Sequence, residues 1–174
     1  LVKDKGYEIL YFTDSVDEFA IRMLMKYKDK EFKSVSANDL NLESEEEKKE
    51  LEQKETESKD MLETMQKALD GKVAKVKLSG RLKSHPVCLS NEGDLSMEMA
   101  KTLNAMPGVD QPVQAQTILE LNPEHPIYQK LKTLDDEMLG KYSQLLYNQA
   151  LLIEGMPIAD PVAFSNLICE LMEA

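Results

Sequence analysis

The sequence lacks tryptophan, has only two cysteines and contains no long apolar run among its 174 residues. Cys88 and Cys169 are far apart and form no Cys-x-x-Cys pair, which argues against both a disulfide framework and a zinc site. A membrane-spanning helix needs about 18 consecutive apolar residues, and no such stretch is present. This pattern is typical of a chain that works in a reducing cytoplasm without a membrane partner.

Phosphate-binding glycine motifs are also missing, because the seven glycines stand singly along the chain. No serine or cysteine lies in a nucleophile motif, so we expect no catalytic residue, no metal and no cofactor in this chain. Basic residues are in the minority. The chain has 21 lysines and arginines against 32 acids, and its net charge of -11 would repel nucleic acid.

The first forty or so residues read as an incomplete domain. The chain begins at Leu1 without methionine and enters an apolar run almost at once, so we expect a piece of a longer protein. That run, from Tyr7 to Phe12, predicts a buried strand. Ser15 to Glu18 has the spacing of a capping box, which predicts a helix to about Tyr27. A second strand from Phe32 to Ser36 would complete a strand-helix-strand segment of α/β type.

Charged residues dominate the stretch from Glu43 to Asp60, where acids and bases recur one helical turn apart. We expect a solvated helix supported by three ion pairs, namely Glu45/Lys49, Glu50/Lys54 and Glu55/Lys59. Apolar residues then appear on one side at Leu62, Met65 and Leu69, and Gly71 ends the helix. Only this last part is predicted to pack against the rest of the chain.

Three short apolar stretches predict a small sheet: Val73 to Leu78, Val87 to Leu89 and Ile118 to Leu121. Helices are predicted from Leu95 to Met106 and from Glu124 to Leu134. Together with the elements on either side, these predict an α+β chain.

The helix from Leu95 to Met106 lies between Gly93 and Pro107-Gly108, so we expect hinges at both of its ends. Four apolar residues fall along one side: Leu95, Met99, Leu103 and Met106. Methionine side chains are flexible and polarisable, and a surface that carries several can fit many apolar partners. The alternative is that the same four residues form an ordinary core face.

Two apolar helices end the chain. The first has apolar side chains on more than one face between Tyr142 and Ile153, and Gly155 ends it. Asp160-Pro161 begins the second as N-cap and first helical residue. The apolar surface of this hairpin exceeds what one neighbour would cover. Either the same hairpin of a second copy covers it, in a two-fold four-helix bundle, or the chain's own core does.

Histidine offers two candidates for chemistry. His85 and Cys88 have a spacing seen in metal sites, but two ligands are too few, and a loop histidine is the simpler interpretation. His125 stands at a helix start, where hydrogen bonding at the turn explains it. An enzyme alternative would pair His125 with Asp135 or Asp136 in a small hydrolase.

Four segments, in order along the chain, resemble the heat shock protein 90 chaperones. Gly6 to Ala20 is similar to a signature of the family's middle domain. Segments similar to its C-terminal domain are Ser79 to Leu82 with Pro86 to Leu89, then Leu119 to Pro126, then Leu145 to Leu152 with Asp160-Pro161. The resemblance covers nearly the whole chain. It implies that residues 1–43 end a middle domain and that residues 44–174 form a C-terminal dimerisation domain.

The resemblance implies a homodimeric, ATP-dependent chaperone of the stress response that assists unfolded or partly folded client proteins. ATP and magnesium would bind an N-terminal domain that this chain does not include, so ATPase activity would belong to the full-length protein only. The family dimerises through a C-terminal four-helix bundle, and in this chain we expect the interface to comprise Tyr142, Leu145, Leu146, Gln149, Ile153, Phe164, Leu167, Ile168 and Leu171. The implied client contacts are Glu18, Phe19, Arg22, Leu95, Met99, Leu103 and Met106.

Two departures from the eukaryotic pattern favour a bacterial member. The chain ends in Leu171 to Ala174 and not in Met-Glu-Glu-Val-Asp, so no helical-repeat co-chaperone is expected on its tail. Gly93 is followed by Asp94, where the eukaryotic pattern has Gly-Trp. A rival of another class is a structural dimerisation adaptor without client binding, in which the helix from Leu95 to Met106 is packed in the core.

Overall fold

A computed structural model describes residues 2–3, 5–14, 16–37, 43–93, 95–108 and 111–173. The chain divides into two compact units, one with residues 1–42 and 91–116 and the other with residues 43–90 and 117–174. Helices and small sheets occur together, which confirms the α+β class. The division into domains of residues 1–43 and 44–174 stays a prediction.

The first unit begins with helix α1 (Asp17–Leu24) and a two-residue hairpin of strands β1 (Lys26–Tyr27) and β2 (Lys30–Glu31). A side-chain oxygen of Asp17 accepts hydrogen bonds from the backbone of Thr13 and Asp14, 3.2 and 3.1 Å away. These bonds fix the turn that leads into α1. The helix ends at Leu24, three residues before the predicted end, because Met25 turns away with a positive φ of 56°.

The two strands predicted on either side of α1 are wrong, although the helix between them is present. Tyr7 to Phe12 is irregular and exposed, with Tyr11 76% accessible to solvent. An apolar run becomes a strand only where a neighbour supplies backbone hydrogen bonds, and within the described residues no strand pairs with this run. Phe32 to Ser36 is irregular too, although Ser36 accepts a bond from the backbone of Asn91. The predicted capping residue Ser15 lies outside the described residues.

The charged stretch forms helix α2 (Glu45–Glu57), and helix α3 (Lys59–Ala68) follows after a break at Ser58. A capping box starts α2: Ser44 and Glu47 each accept a hydrogen bond from the other's backbone. No described side chain of α2 is buried, as predicted for a solvated helix, whereas α3 buries Leu62 and Met65. The ion pairs differ from those predicted and include Lys48 with Glu45 and Lys54 with Glu124.

The predicted small sheet is confirmed among the described residues. Strands β3 (Lys75–Leu78), β4 (Val87–Glu92) and β5 (Gln116–Leu121) lie in the order β3-β5-β4. Strands β3 and β5 are parallel, and Lys75 lies opposite Ile118. The central strand β5 is buried from Thr117 to Leu121. A continuous buried run of this kind is typical of a strand covered on both faces.

Helix α4 (Met97–Asn104) belongs to the first unit, and helices α5 (Pro126–Leu131), α6 (Asp136–Ile153) and α7 (Pro161–Glu173) belong to the second. The helix α5 is shorter than the predicted range of 124–134, because a tight turn at its end pairs the backbone of Thr133 with that of Lys130. The predicted helical hairpin of α6 and α7 is confirmed. Asp160 caps α7, with its side-chain oxygen 2.9 Å from the backbone nitrogen of Ala163.

The apolar core lies in the second unit, between the sheet and helices α3, α5 and α6. Helices α3 and α6 approach closely where Gly140 faces Ala68, and an added β-carbon at Gly140 would lie 3.6 Å from that of Ala68. The side-chain amide of Gln144 donates to the backbone carbonyl of Ala68 beside this contact. Fully buried side chains of this core include Met65, Leu69, Leu78, Leu89, Leu119, Tyr128, Leu131 and Leu146.

Candidate functional site

The backbone turns on both sides of α4 at the predicted hinge positions. Gly93 precedes the helix with a φ of 78°, and Gly108 follows it with a φ of 88°, conformations that glycine adopts without strain. Ser96 starts the helix as its N-cap, and its hydroxyl oxygen accepts from the backbone nitrogen of Met99 at 3.1 Å. At the other end, the side chain of Asn104 forms two hydrogen bonds with the backbone of Val113, both 2.8 Å long.

Helix α4 turns its small residues inward and leaves its larger apolar residues partly open to solvent. Ser96 and Ala100 are buried, with 6% and 7% of their surfaces exposed. The four residues of the predicted apolar side, which we call the α4 surface, are Leu95, Met99, Leu103 and Met106. The first three are half-buried, and Met106 is 46% exposed. An ordinary core face would bury these side chains more completely.

The predicted contacts on α1 lie next to the start of α4. Glu18 and Arg22 form an ion pair one helical turn apart, with 3.1 Å between Oε1 and Nη2. The second oxygen of Glu18 accepts a hydrogen bond from the hydroxyl of Ser96, 2.6 Å away. Phe19 is half-buried. The structure thus joins Glu18 to α4 through Ser96, a residue that the sequence analysis missed although its place before a helix start was readable.

The hairpin leaves apolar surface uncovered within the chain. No described residue of α7 is buried. Its predicted contact residues Phe164, Leu167, Ile168 and Leu171 are half-buried, whereas Val162 and Met172 are 70% and 81% exposed. An exposed group of large apolar side chains on one helix is typical of an interaction surface. We call these six residues the α7 surface: Val162, Phe164, Leu167, Ile168, Leu171 and Met172.

Helix α6 divides its predicted interface residues between the core and the solvent. Leu146 is 2% exposed and Tyr142 is 9% exposed, so the chain itself already covers both side chains. Leu145 and Gln149 are half-buried, and Ile153 is 48% exposed. Leu152 beside it, 54% exposed, was not predicted as an interface residue. The open part of α6 is therefore its C-terminal turn.

Comparison with known proteins decides the family. The Hsp90 protein family profile matches residues 1–174. The chaperone protein HtpG of Clostridium acetobutylicum is 57% identical over 99% of this chain, and that of Bacillus subtilis is 54% identical over the same share. The chain belongs to the Hsp90 family. It spans 28% of the length of these two curated relatives.

A buried carboxylate joins the three strands of the sheet in this Hsp90-family chain. Glu120 on β5 is 2% exposed. Arg81 holds both of its oxygens, with Nε 3.0 Å from Oε2 and Nη2 3.1 Å from Oε1. The hydroxyls of Ser79 and Ser90 donate to the same carboxylate at 2.7 and 2.6 Å, and Lys77 lies 3.4 Å away. No local pattern in the sequence indicates this cluster, because its members are spread over residues 77–120.

The environment of Glu120 favours its charged form. Burial alone would raise the pKa of this carboxyl, but the charge of Arg81, the hydrogen bond from Ser90 and the charge of Lys77 outweigh it and lower the pKa. The pKa of the neighbouring Cys88 thiol shifts in the opposite direction. Burial, together with the negative charge of Glu120, raises the pKa of Cys88 to about 11. Cys88 is therefore a neutral thiol at physiological pH.

The histidines take part in local hydrogen bonds. His125 caps α5, where its Nδ1 accepts from the backbone nitrogen of Ile127 at 3.2 Å, and Asp135 caps α6 through the backbone of Met138. His85 is an exposed loop residue whose Nδ1 lies 3.3 Å from the hydroxyl of Ser84. Within the described ranges, no three histidine, cysteine or acidic residues are grouped to hold a metal ion. No helix in those ranges has the length and apolar character to cross a bilayer.

Proposed function

We propose that this chain is the homodimerisation and client-binding part of a cytoplasmic, ATP-dependent molecular chaperone of the stress response. The observation that carries the proposal is that α7, a helix of 13 residues with an apolar surface, buries none of its described residues within the chain. The family supports the chaperone function, since the relatives from Clostridium acetobutylicum and Bacillus subtilis are named as chaperones. ATP and magnesium would bind outside this chain, which contains no phosphate-binding glycine motif.

The α7 surface and the C-terminal turn of α6 supply the proposed dimer interface. Phe164, Leu167, Ile168 and Leu171 would pack against the same residues of a second copy, with Leu145, Gln149 and Ile153 at their side. A two-fold arrangement of two hairpins gives a four-helix bundle, in which each α7 is covered on its open side. Tyr142 and Leu146 would support α6 from within the chain, because their side chains are buried there.

A charge within the α7 surface tests the interface. Leu167→Asp would bury an unpaired carboxylate between the two copies. We therefore expect the dissociation constant of the dimer to rise at least a hundredfold. Sedimentation equilibrium at micromolar concentration would measure the mass. The matched control is Asn166→Asp, which places the same charge on the exposed neighbouring position. A wild-type monomer, or equal masses for the two variants, would exclude this interface.

The α4 surface supplies the proposed client contacts, together with Glu18, Phe19 and Arg22 on α1. Its partly exposed methionines can adapt to different apolar segments without a fixed shape. Two copies held together by the hairpins would offer two such surfaces to one client, which strengthens contacts that are weak individually. The rival adaptor function requires these side chains to be packed in a core, and their partial exposure favours the chaperone.

Binding of a permanently unfolded protein would test the client surface. We expect Met99→Ser with Leu103→Ser to weaken binding of a fluorescent, reduced and carboxymethylated protein at least tenfold, because apolar contact area is lost. The control is Lys101→Ser, an exposed position on the same helix. Client should also slow proteolytic cleavage near Gly93 and Pro107. Wild-type protein that binds no unfolded chain and resists cleavage there would support the adaptor.

A further inference from the structure

We propose that Ser96 is a positioning residue: its hydrogen bond to Glu18 holds α4 in one pose, and loss of that bond makes the α4 surface more available to client segments. This inference rests on the proposed client-binding function of α4. It adds to that function a specific polar contact, which controls how much of the α4 surface is exposed to client segments.

The hydroxyl group of Ser96 forms two hydrogen bonds at the start of α4. The oxygen of Ser96 accepts from the backbone nitrogen of Met99 at 3.1 Å, and its proton is donated to Oε2 of Glu18 at 2.6 Å. A serine hydroxyl has one donor and two acceptor positions, so the two bonds are compatible. The bond to Glu18 is charge-assisted, and Ser96 is only 6% exposed, so water competes little for it.

Glu18 is itself fixed. Its other oxygen, Oε1, pairs with Arg22 at 3.1 Å, and α1 is held at its start by the bonds of Thr13 and Asp14 to Asp17. The ion pair with Arg22 orients the Glu18 side chain on α1, so the carboxylate would lose this pair if it followed Ser96 when α4 moves. The Ser96–Glu18 bond joins a fixed group on α1 to a helix that lies between two glycine turns.

Among the described residues, few side chains of α4 are fully buried. Among the apolar residues of the helix, Ala100 is the one that the structure buries, and a methyl group contributes little apolar contact. The bonds between Asn104 and Val113 at the other end are exposed to water, which weakens their net contribution. The Ser96–Glu18 bond is thus a specific, charge-assisted contact that helps to set the position of α4, and its loss should shift the helix toward more open poses.

Hydrogen exchange of the α4 backbone amides, measured without client, tests the positioning. We expect Ser96→Ala and Glu18→Ala each to speed exchange about tenfold, as for loss of one charge-assisted hydrogen bond. Glu18→Ala leaves the N-cap of α4 in place, so it separates positioning from capping. The double variant should be no faster than Ser96→Ala alone, because both substitutions remove the same bond. Ser96→Thr keeps the hydroxyl and should restore slow exchange.

Glu31→Ala is the control, since it removes an exposed carboxylate that pairs with Lys26 at 3.6 Å in the same unit. Faster exchange in Ser96→Ala but not in Glu18→Ala, or additive effects in the double variant, would overturn the proposal.

Binding of the unfolded probe should tighten in Ser96→Ala by up to the same factor. Unchanged binding despite a loosened helix would overturn control of client access. Absence of binding in the wild type would instead defeat the proposed function, and unchanged exchange with normal binding would defeat only the role of Ser96.

Discussion

Each of the two units of the chain is stabilised internally by a different kind of interaction. The second unit has an apolar core of leucines, valines and aromatic residues, and the Glu120 cluster lies within it. The buried residues of the first unit, within its described ranges, are Asn91, Ser96 and Ala100. Several of its large apolar residues are exposed instead, among them Tyr11, Met23 and Met25.

This difference suggests that the second unit is a rigid scaffold and that the first unit is an adjustable part, whose conformation can change. A unit with a packed core resists change, because moving one element opens voids against its neighbours. A unit whose elements are joined by hydrogen bonds between side chains can be rearranged when one bond is lost. We therefore expect stability to reside in the second unit and conformational response in the first.

The largest effect is expected from a cavity in the scaffold. Leu119→Ala on the central strand, where the side chain is 0% exposed, should lower the free energy of unfolding of the second unit by about 3 kcal/mol. Leu24→Ala in the first unit, where the side chain is 53% exposed, should change it by less than about 0.5 kcal/mol. Urea unfolding followed by far-ultraviolet circular dichroism would measure both. Equal losses would break the comparison between the units.

The buried cluster gives the next largest effect. Arg81→Met leaves Glu120 in the core without its main partner, and we expect a loss of about 2–3 kcal/mol, moderated by the remaining bonds from Lys77 and the two serines. Combining it with Glu120→Gln should recover part of that loss, because the uncompensated charge is then gone. Removal of an exposed pair, by Lys54→Ala, should cost at most about 1 kcal/mol. A similar loss in both cases would show that the cluster is not a buried network.

The same cluster predicts a dependence of stability on pH. The pKa of Glu120 is lower in the folded chain than its ordinary value of about 4.3. Its contribution to stability is thus fully present above that value and is lost as the pH falls through the lowered folded pKa. Urea midpoints measured between about pH 7 and pH 3 should fall less steeply in Glu120→Gln than in the wild type. Parallel curves would contradict the assigned pKa direction.

Local signals in the sequence predicted the second unit well. The capped start of α7 at Asp160, the end of α6 at Gly155 and the strand around Ile118 depend on neighbours in the chain, and each was predicted. The run from Tyr7 to Phe12 was misread, because an apolar stretch alone does not specify the partner that a strand requires. The Glu120 cluster was missed for the same reason, since its members meet only after the three strands have paired.

The candidate sites show the same limit. Helical spacing placed Leu95, Met99, Leu103 and Met106 on one side of α4, but it could not tell that Ala100 and Ser96 face inward instead. Tyr142 and Leu146 stay predicted interface residues that the chain itself buries, since α6 carries apolar residues on more than one face and spacing cannot choose between faces. The bond between Ser96 and Glu18 joins residues 78 positions apart, beyond any local pattern.

The smallest effect is expected on the alkylation rate of Cys88 in the Ser96→Ala variant, and it tests whether the two units open separately. With a pKa of about 11, Cys88 is about one part in a thousand thiolate at pH 8. Iodoacetamide should therefore alkylate it on the order of a hundredfold more slowly in the native chain than in urea. Mass spectrometry can follow Cys88, with the exposed Cys169 as an internal reference. If Ser96→Ala loosens α4 while Cys88 stays protected, the first unit rearranges without opening the second. If Cys88 loses protection together with α4, the scaffold and the adjustable part are a single cooperative structure.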